Sequence, residues 1–228
     1  MPFTLDPYYL LLVVPTLILS TIAQIKVKST FAKYSKVQCS RGITGMQAAD
    51  LLLKVNKIND VQIEPVRGSL SDHYSPSDKK LRLSEPVYAV PSIAAVGVAA
   101  HETGHAIQHA VHWGPLVLRS TLVPVANIGS SLGPWIAIAG LFIFPPLYLI
   151  GLILFSASVL FYVVTLPVEF NASARAIAIL RSNKVLSEAE LKGVKKVLTA
   201  AALTYVASAL TAIMSLLRLI LMANRKRR

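Results

Sequence analysis

The chain has 228 residues, 54% of them hydrophobic, a single cysteine and a formal net charge of +12. Cys39 alone excludes an internal disulfide and any zinc site built on cysteines. The basic excess does not mark a nucleic-acid binder: the lysines and arginines flank apolar runs, and no aromatic-studded basic patch or nucleic-acid motif accompanies them. Retention at the anionic cytoplasmic face of a membrane is the simpler reading.

The hydrophobic residues are gathered into a few runs, which predicts a mainly α, integral-membrane protein with about four transmembrane helices and a small α+β region. Residues 1–25 read as an N-terminal transmembrane anchor. Tyr8 to Ile25 is uncharged, and as a helix it rises about 27 Å against a hydrocarbon thickness of ~30 Å. No Lys or Arg precedes it and no small-x-small site closes it, so an uncleaved anchor is expected rather than a signal peptide.

Residues 26–120 are expected to form the catalytic region. Thr44 to Leu53 has helical spacing behind a capping threonine. Val61–Glu64 and Leu81–Leu83 alternate like short strands, with turn-rich segments at Arg67–Ser69 and Ser75–Asp78. A helix over about 92–113 is capped by Ser92 and ended by Gly114-Pro115, and its many small residues allow close approach of other backbones. Residues 121–166 read as a transmembrane hairpin. The stretch Thr121–Thr165 carries no charge, Phe144-Pro145-Pro146 supplies the turn, and Gly129, Gly133-Pro134 and Gly140 are candidates to bend the first arm. Residues 167–196 hold a polar-sided helix containing Glu169, then a connector with the acidic helix start Ser187–Glu190. Residues 197–228 hold the last span, interrupted near its end by Arg218, and a basic tail from Arg225 to Arg228.

The chemistry-bearing residues are His101-Glu102-Thr103-Gly104-His105. Positions four apart on a helix share a face about 6 Å apart, so two imidazoles there can bind one Zn²⁺. Glu102 lies about 100° around the axis, off the metal but within reach of a water on it, where it serves as the catalytic base. The ten residues before His101 are uncharged, and ionisable groups in such a setting are expensive and usually functional.

A catalytic zinc needs a third protein ligand and one open position. His73, His109, His112 and Glu169 are the candidates. His109 lies about 12 Å along the axis from His101, so one ion cannot bind both; it and His112 read better as supporting or interfacial groups. His73 sits in a loop. Glu169 returns to the same side as His101 after the hairpin, and Glu188 and Glu190 are accounted for as helix-start charges. That makes Glu169 the leading candidate, completing a His₂Glu set around one catalytic zinc.

The stretches Gly68-Ser69-Leu70-Ser71-Asp72-His73-Tyr74, Leu81-Arg82-Leu83-Ser84-Glu85, Ala99–Gln108 around His101, and Leu166–Ser173 resemble the YugP-like bacterial membrane zinc metallopeptidases, also called neutral zinc metallopeptidase family 2. The resemblance covers nearly the whole chain. More distantly, the Glu169 segment is similar to the Glu-Phe-x-Ala-Asp element of the HtpX and Ste24 type gluzincins, which implies a gluzincin-like catalytic region with Glu169 as third ligand. The chain departs at Ser173, where those families carry an Asp that supports a zinc-binding His. The resemblance therefore implies a weak or absent role for Ser173, with Asn171 or Arg175 contributing instead. It also implies an edge strand that holds extended substrate, for which Leu81–Ser84 is the candidate, and an oxyanion donor, for which His73 or Tyr74 is.

The expected function is a membrane-embedded, zinc-dependent endopeptidase acting on polypeptide, in contact with membrane lipid and compatible with a homo-oligomer or a regulatory membrane partner. The alternative is a non-catalytic, zinc-stabilised membrane scaffold, which has no need of Glu102. A metal transporter would want ionisable residues within the hairpin, which has none. The expected location is a multi-pass cell-membrane protein. Segments 26–120 and 169–196 hold 18 of the 23 Lys and Arg, which places the site on the cytoplasmic side. Four full spans then put the basic tail outside, so either the last run stops short or the tail is tolerated.

Overall fold

The computed structural model describes residues 6–226, the last by its backbone alone. Residues 1–5 of the anchor and Arg227 and Arg228 of the basic tail lie outside the described residues. The elements in chain order are α1 (Tyr9–Ser35, its first turn a π-helix), α2 (Gly45–Val55), β1 (Gln62–Val66), β2 (His73–Ser75), β3 (Lys80–Ser84), α3 (Glu85–Tyr88), α4 (Ile93–Ala110), α5 (Gly114–Phe142), α6 (Pro145–Ser182) and α7 (Glu188–Lys226).

Local chemistry explains most of the boundaries. Thr44 and Gln47 form a reciprocal capping box at the start of α2. The Ser92 hydroxyl accepts the Ala95 N–H at 3.1 Å to open α4. Ser187 and Glu190 cap α7 the same way, Glu190 accepting the Ser187 N–H at 2.7 Å. α4 stops at Ala110, because His112 takes a left-handed backbone (φ 49°) and the Trp113 N–H turns back to the Gln108 carbonyl at 2.9 Å. Gly114-Pro115 begins α5 rather than ending α4; a proline in a first turn removes an N–H that has no helical partner anyway.

The sheet has the order β1-β3-β2. β1 runs parallel to β3 and β2 antiparallel to it. This corrects two readings. Leu81–Ser84 is the central strand, paired on both sides, and cannot be an open edge. The segment at His73–Tyr74, read as a loop, is the edge strand β2. Leu81 and Leu83 point inward and are fully buried, while Lys80 and Arg82 on the other face pair with Glu64.

Contacts divide the chain into two units. One comprises Ile25–Leu116 and Val168–Ala202, the other Met1–Gln24, Val117–Pro167 and Leu203–Arg228. In the first, α2, α4 and the sheet bury Ala48, Leu52, Leu83, Val96 and Ala100 together with Leu180, Val194 and Leu198. Gly104 of α4 packs closely against α6: a Cβ there would stand 2.6 Å from the Ala172 carbonyl oxygen.

In the second unit Ala137, Phe155, Val159, Ala212 and Leu219 form the core. Gly129 of the first arm admits the neighbouring backbone: a Cβ there would lie 2.1 Å from the Leu154 carbonyl oxygen. Pro167 does not break α6, which runs unbroken through Glu169. The last run also continues without interruption to Lys226, and Arg218 meets Asp6 beside the start of α1, its Nε 2.8 Å from Oδ2. Among the described residues four helices, α1, α5, α6 and α7, are long and apolar enough to cross a membrane.

Gly104→Ala is expected to lose about 1–3 kcal/mol of stability through overpacking, read as a lowered melting temperature in detergent. Gly114→Ala, whose Cβ would meet nothing within 4 Å, is expected to stay within about 0.5 kcal/mol of the parent.

Candidate metal centre

His101 and His105 lie one turn apart on α4, their ring centroids 4.8 Å apart and nearly perpendicular. Glu169 stands opposite on α6, and its Oε2 is 3.2 Å from His101 Nε2 and 3.5 Å from His105 Nε2. One donor atom from each of the three residues falls within 4.8 Å of the other two. Glu169 and His105 are buried, and His101 is half-buried.

The other ring nitrogens are held from behind. His101 Nδ1 is 3.0 Å from Ser173 Oγ, and His105 Nδ1 is 3.0 Å from Gln108 Oε1. Ser173 thus stands where the resemblance had given it little part. Asn171 and Arg175 do not touch a histidine. Asn171 Oδ1 accepts from Arg175 Nε at 2.7 Å and from Gln108 Nε2 at 3.0 Å. Gln108 is not among the residues singled out from the sequence, and its distant partners Val168 and Asn171 are what give it a role.

The donor set suits a zinc ion. Bonds of ~2.0–2.1 Å in tetrahedral geometry separate neighbouring ligand atoms by about 3.4 Å, close to the 3.2 and 3.5 Å found here. Three potential ligand atoms face one another, an arrangement that a bound cation would stabilise. The same electrostatics act on His105: burial opposes its charged form, but Glu169 and Glu102 outweigh burial and raise its pKa above the ordinary value.

Glu102 projects beside this group, and its Oε2 accepts the backbone N–H of Tyr74, on β2, at 3.0 Å. The Tyr74 hydroxyl is 2.8 Å from His109 Nδ1. Burial, with smaller contributions from Asp60 and Asp78, pushes the Tyr74 phenol up to about 12, so it remains a donor. His73 is exposed; its Nδ1 lies 2.9 Å from the Ser71 carbonyl and its Nε2 3.4 Å from Arg82. Neither ring nitrogen of His73 is hydrogen-bonded to the His101–His105–Glu169 group. Behind β2, Asp72 accepts the Ser84 N–H at 2.7 Å and hydroxyl at 2.9 Å. Tyr74, His109 and His112 border a cavity of about 360 Å³ with Asp60, Lys79 and Ile58.

A family model described as "Putative neutral zinc metallopeptidase" matches residues 9–224. The chain is also 51% identical over 215 residues to "Putative membrane protease YugP" of Bacillus subtilis (strain 168), covering 93% of this chain and 95% of the relative. No solved structure matches.

Removing the group behind His101 is expected to weaken metal binding. Ser173→Ala should bind zinc roughly tenfold more weakly in a chelator competition, and Ser173→Asp at least as tightly as the parent. Equal affinities for Ser173→Ala and the parent would show that the 3.0 Å contact does not orient His101.

Proposed function

We propose that this chain, which belongs to the family of neutral zinc metallopeptidases, is a membrane-embedded endopeptidase whose zinc is held by His101, His105 and Glu169. The observation that carries the reading is the convergence of the two Nε2 atoms on a single Glu169 oxygen, at 3.2 and 3.5 Å. A His₂Glu set leaves the fourth tetrahedral position open, as a catalytic site requires and a structural one does not. When bound there, zinc supplies Lewis acidity, lowering the pKa of a water from about 15.7 to about 7 and polarising a carbonyl oxygen.

Glu102 is the general base. Its carboxylate takes the proton from the attacking water and returns it to the amide nitrogen as the C–N bond breaks. The Tyr74 N–H at 3.0 Å holds one oxygen of that carboxylate and leaves the other for the proton. On this reading Tyr74 acts by positioning Glu102, while its hydroxyl meets His109 Nδ1 at 2.8 Å. His73 and the Tyr74 hydroxyl are the two candidates for an oxyanion donor, and each would have to release the partner it holds here, Arg82 or His109. Substrate is polypeptide, reached at the membrane surface.

The site faces the cytoplasm on this reading. The residues around it carry most of the lysines and arginines, which resist translocation.

Metal content and casein cleavage of the detergent-purified protein test the proposal together. The parent should hold about one zinc, Glu169→Ala should lose it, and Glu102→Gln should keep it while cleavage falls by about 10²–10⁴. Cleavage that survives Glu102→Gln, or a parent without zinc, would sink the assignment.

A further inference from the structure

Gln108 is fully buried on α4, three residues past His105, and makes three hydrogen bonds with its two amide atoms. Oε1 lies 3.0 Å from His105 Nδ1, while Nε2 lies 2.9 Å from the Val168 carbonyl and 3.0 Å from Asn171 Oδ1. The direction of each bond can be derived from the far end. Arg175 can only donate, and its Nε meets Asn171 at 2.7 Å, so the Asn171 atom there is the oxygen. The Val168 carbonyl can only accept. Gln108 therefore faces two acceptors with its nitrogen, which uses both amide protons and leaves its oxygen toward His105. The proton between them then belongs to His105 Nδ1, and His105 Nε2 keeps its lone pair toward Glu169.

We propose that Gln108 is the positioning residue of the metal centre. A relay from Arg175 through Asn171 and Gln108 fixes His105 in the metal-binding tautomer. The bond to the Val168 carbonyl, one residue before Glu169, ties the third ligand to the same amide. One side chain thus sets both the protonation pattern of a histidine and the position of the carboxylate facing it. The proposal rests on the His101–His105–Glu169 reading, and it adds that zinc affinity depends on residues that never touch the metal.

The test is zinc affinity by chelator competition, measured on the full chain in detergent and independent of peptide cleavage. Gln108→Leu should bind zinc about 10–100-fold more weakly, while its metal-free melting temperature confirms a folded protein. If that variant does not fold, the half-buried Asn171 carries the test. Asn171→Asp keeps an acceptor for both Arg175 and Gln108 and should bind zinc within about threefold of the parent. Asn171→Leu, similar in size but unable to accept, should lose about tenfold. Packing alone predicts the reverse order, so Asn171→Leu binding as tightly as Asn171→Asp would overturn the relay, as would parental affinity in folded Gln108→Leu. His101→Ala and Glu169→Ala serve as references. If they lose zinc while the Gln108 and Asn171 variants do not, the relay fails and the ligand set stands. If they keep zinc, the ligand set fails and the relay falls with it.

Discussion

Two helices more than sixty positions apart in sequence must come close enough for the short side chains of one to meet a carboxylate on the other. The contact that permits this is Gly104 against the backbone of Ala172, where a single added carbon would sit 2.6 Å from a carbonyl oxygen. Gly104 lies between His101 and His105 in sequence, and Ala172 lies between Glu169 and Ser173. The point of closest approach is therefore flanked by all three donor residues and by the hydroxyl behind His101. A wider helix–helix distance would leave the Glu169 carboxylate short of both imidazoles.

Close approach creates an electrostatic demand. A carboxylate that is 2% exposed costs several kcal/mol to desolvate unless it is paired. Ser173 and Gln108 hold the outer ring nitrogens of the two histidines that face it, and Asn171 and Arg175 extend that network. Among the described residues no buried side-chain nitrogen or oxygen lacks a hydrogen-bond partner. The carboxylate and the two imidazoles thus sit in a fully hydrogen-bonded surrounding, where a divalent ion would find its three donors already gathered.

Much of this was legible in the sequence because the relevant signals are local. Helix periodicity, the Ser92 cap and the one-turn spacing of His101 and His105 are properties of neighbouring residues. The uncharged hairpin and its Pro145-Pro146 turn follow from solubility alone. The illegible parts were long-range or too small. β2 has three residues, too few for alternation to show, so its edge position went instead to Leu81–Ser84, which sits in the middle of the sheet. Gly114-Pro115 carries the same letters whether it ends one helix or begins the next; the left-handed His112 decides. Ser173 was undervalued because its worth depends on the distance between α4 and α6. The part Gln108 plays rests on Val168 and Asn171, sixty or more positions away in sequence, so the amide by itself says little.

The pairing of Asp6 with Arg218 joins the beginning of the first span to the end of the last. Either charge alone, carried into hydrocarbon, would cost up to about 2.5–3.5 kcal/mol at a helix centre and less toward its end. Together they form a neutral pair whose side chains are 20% and 13% exposed, with the guanidinium lying over the Tyr9 ring. In a chain made from its N-terminus, the carboxylate is synthesised more than two hundred residues before the arginine that pairs with it. The pair thus acts as an electrostatic latch between the two ends of the chain, and a chain truncated before Arg218 has a first helix whose acidic end has lost that arginine.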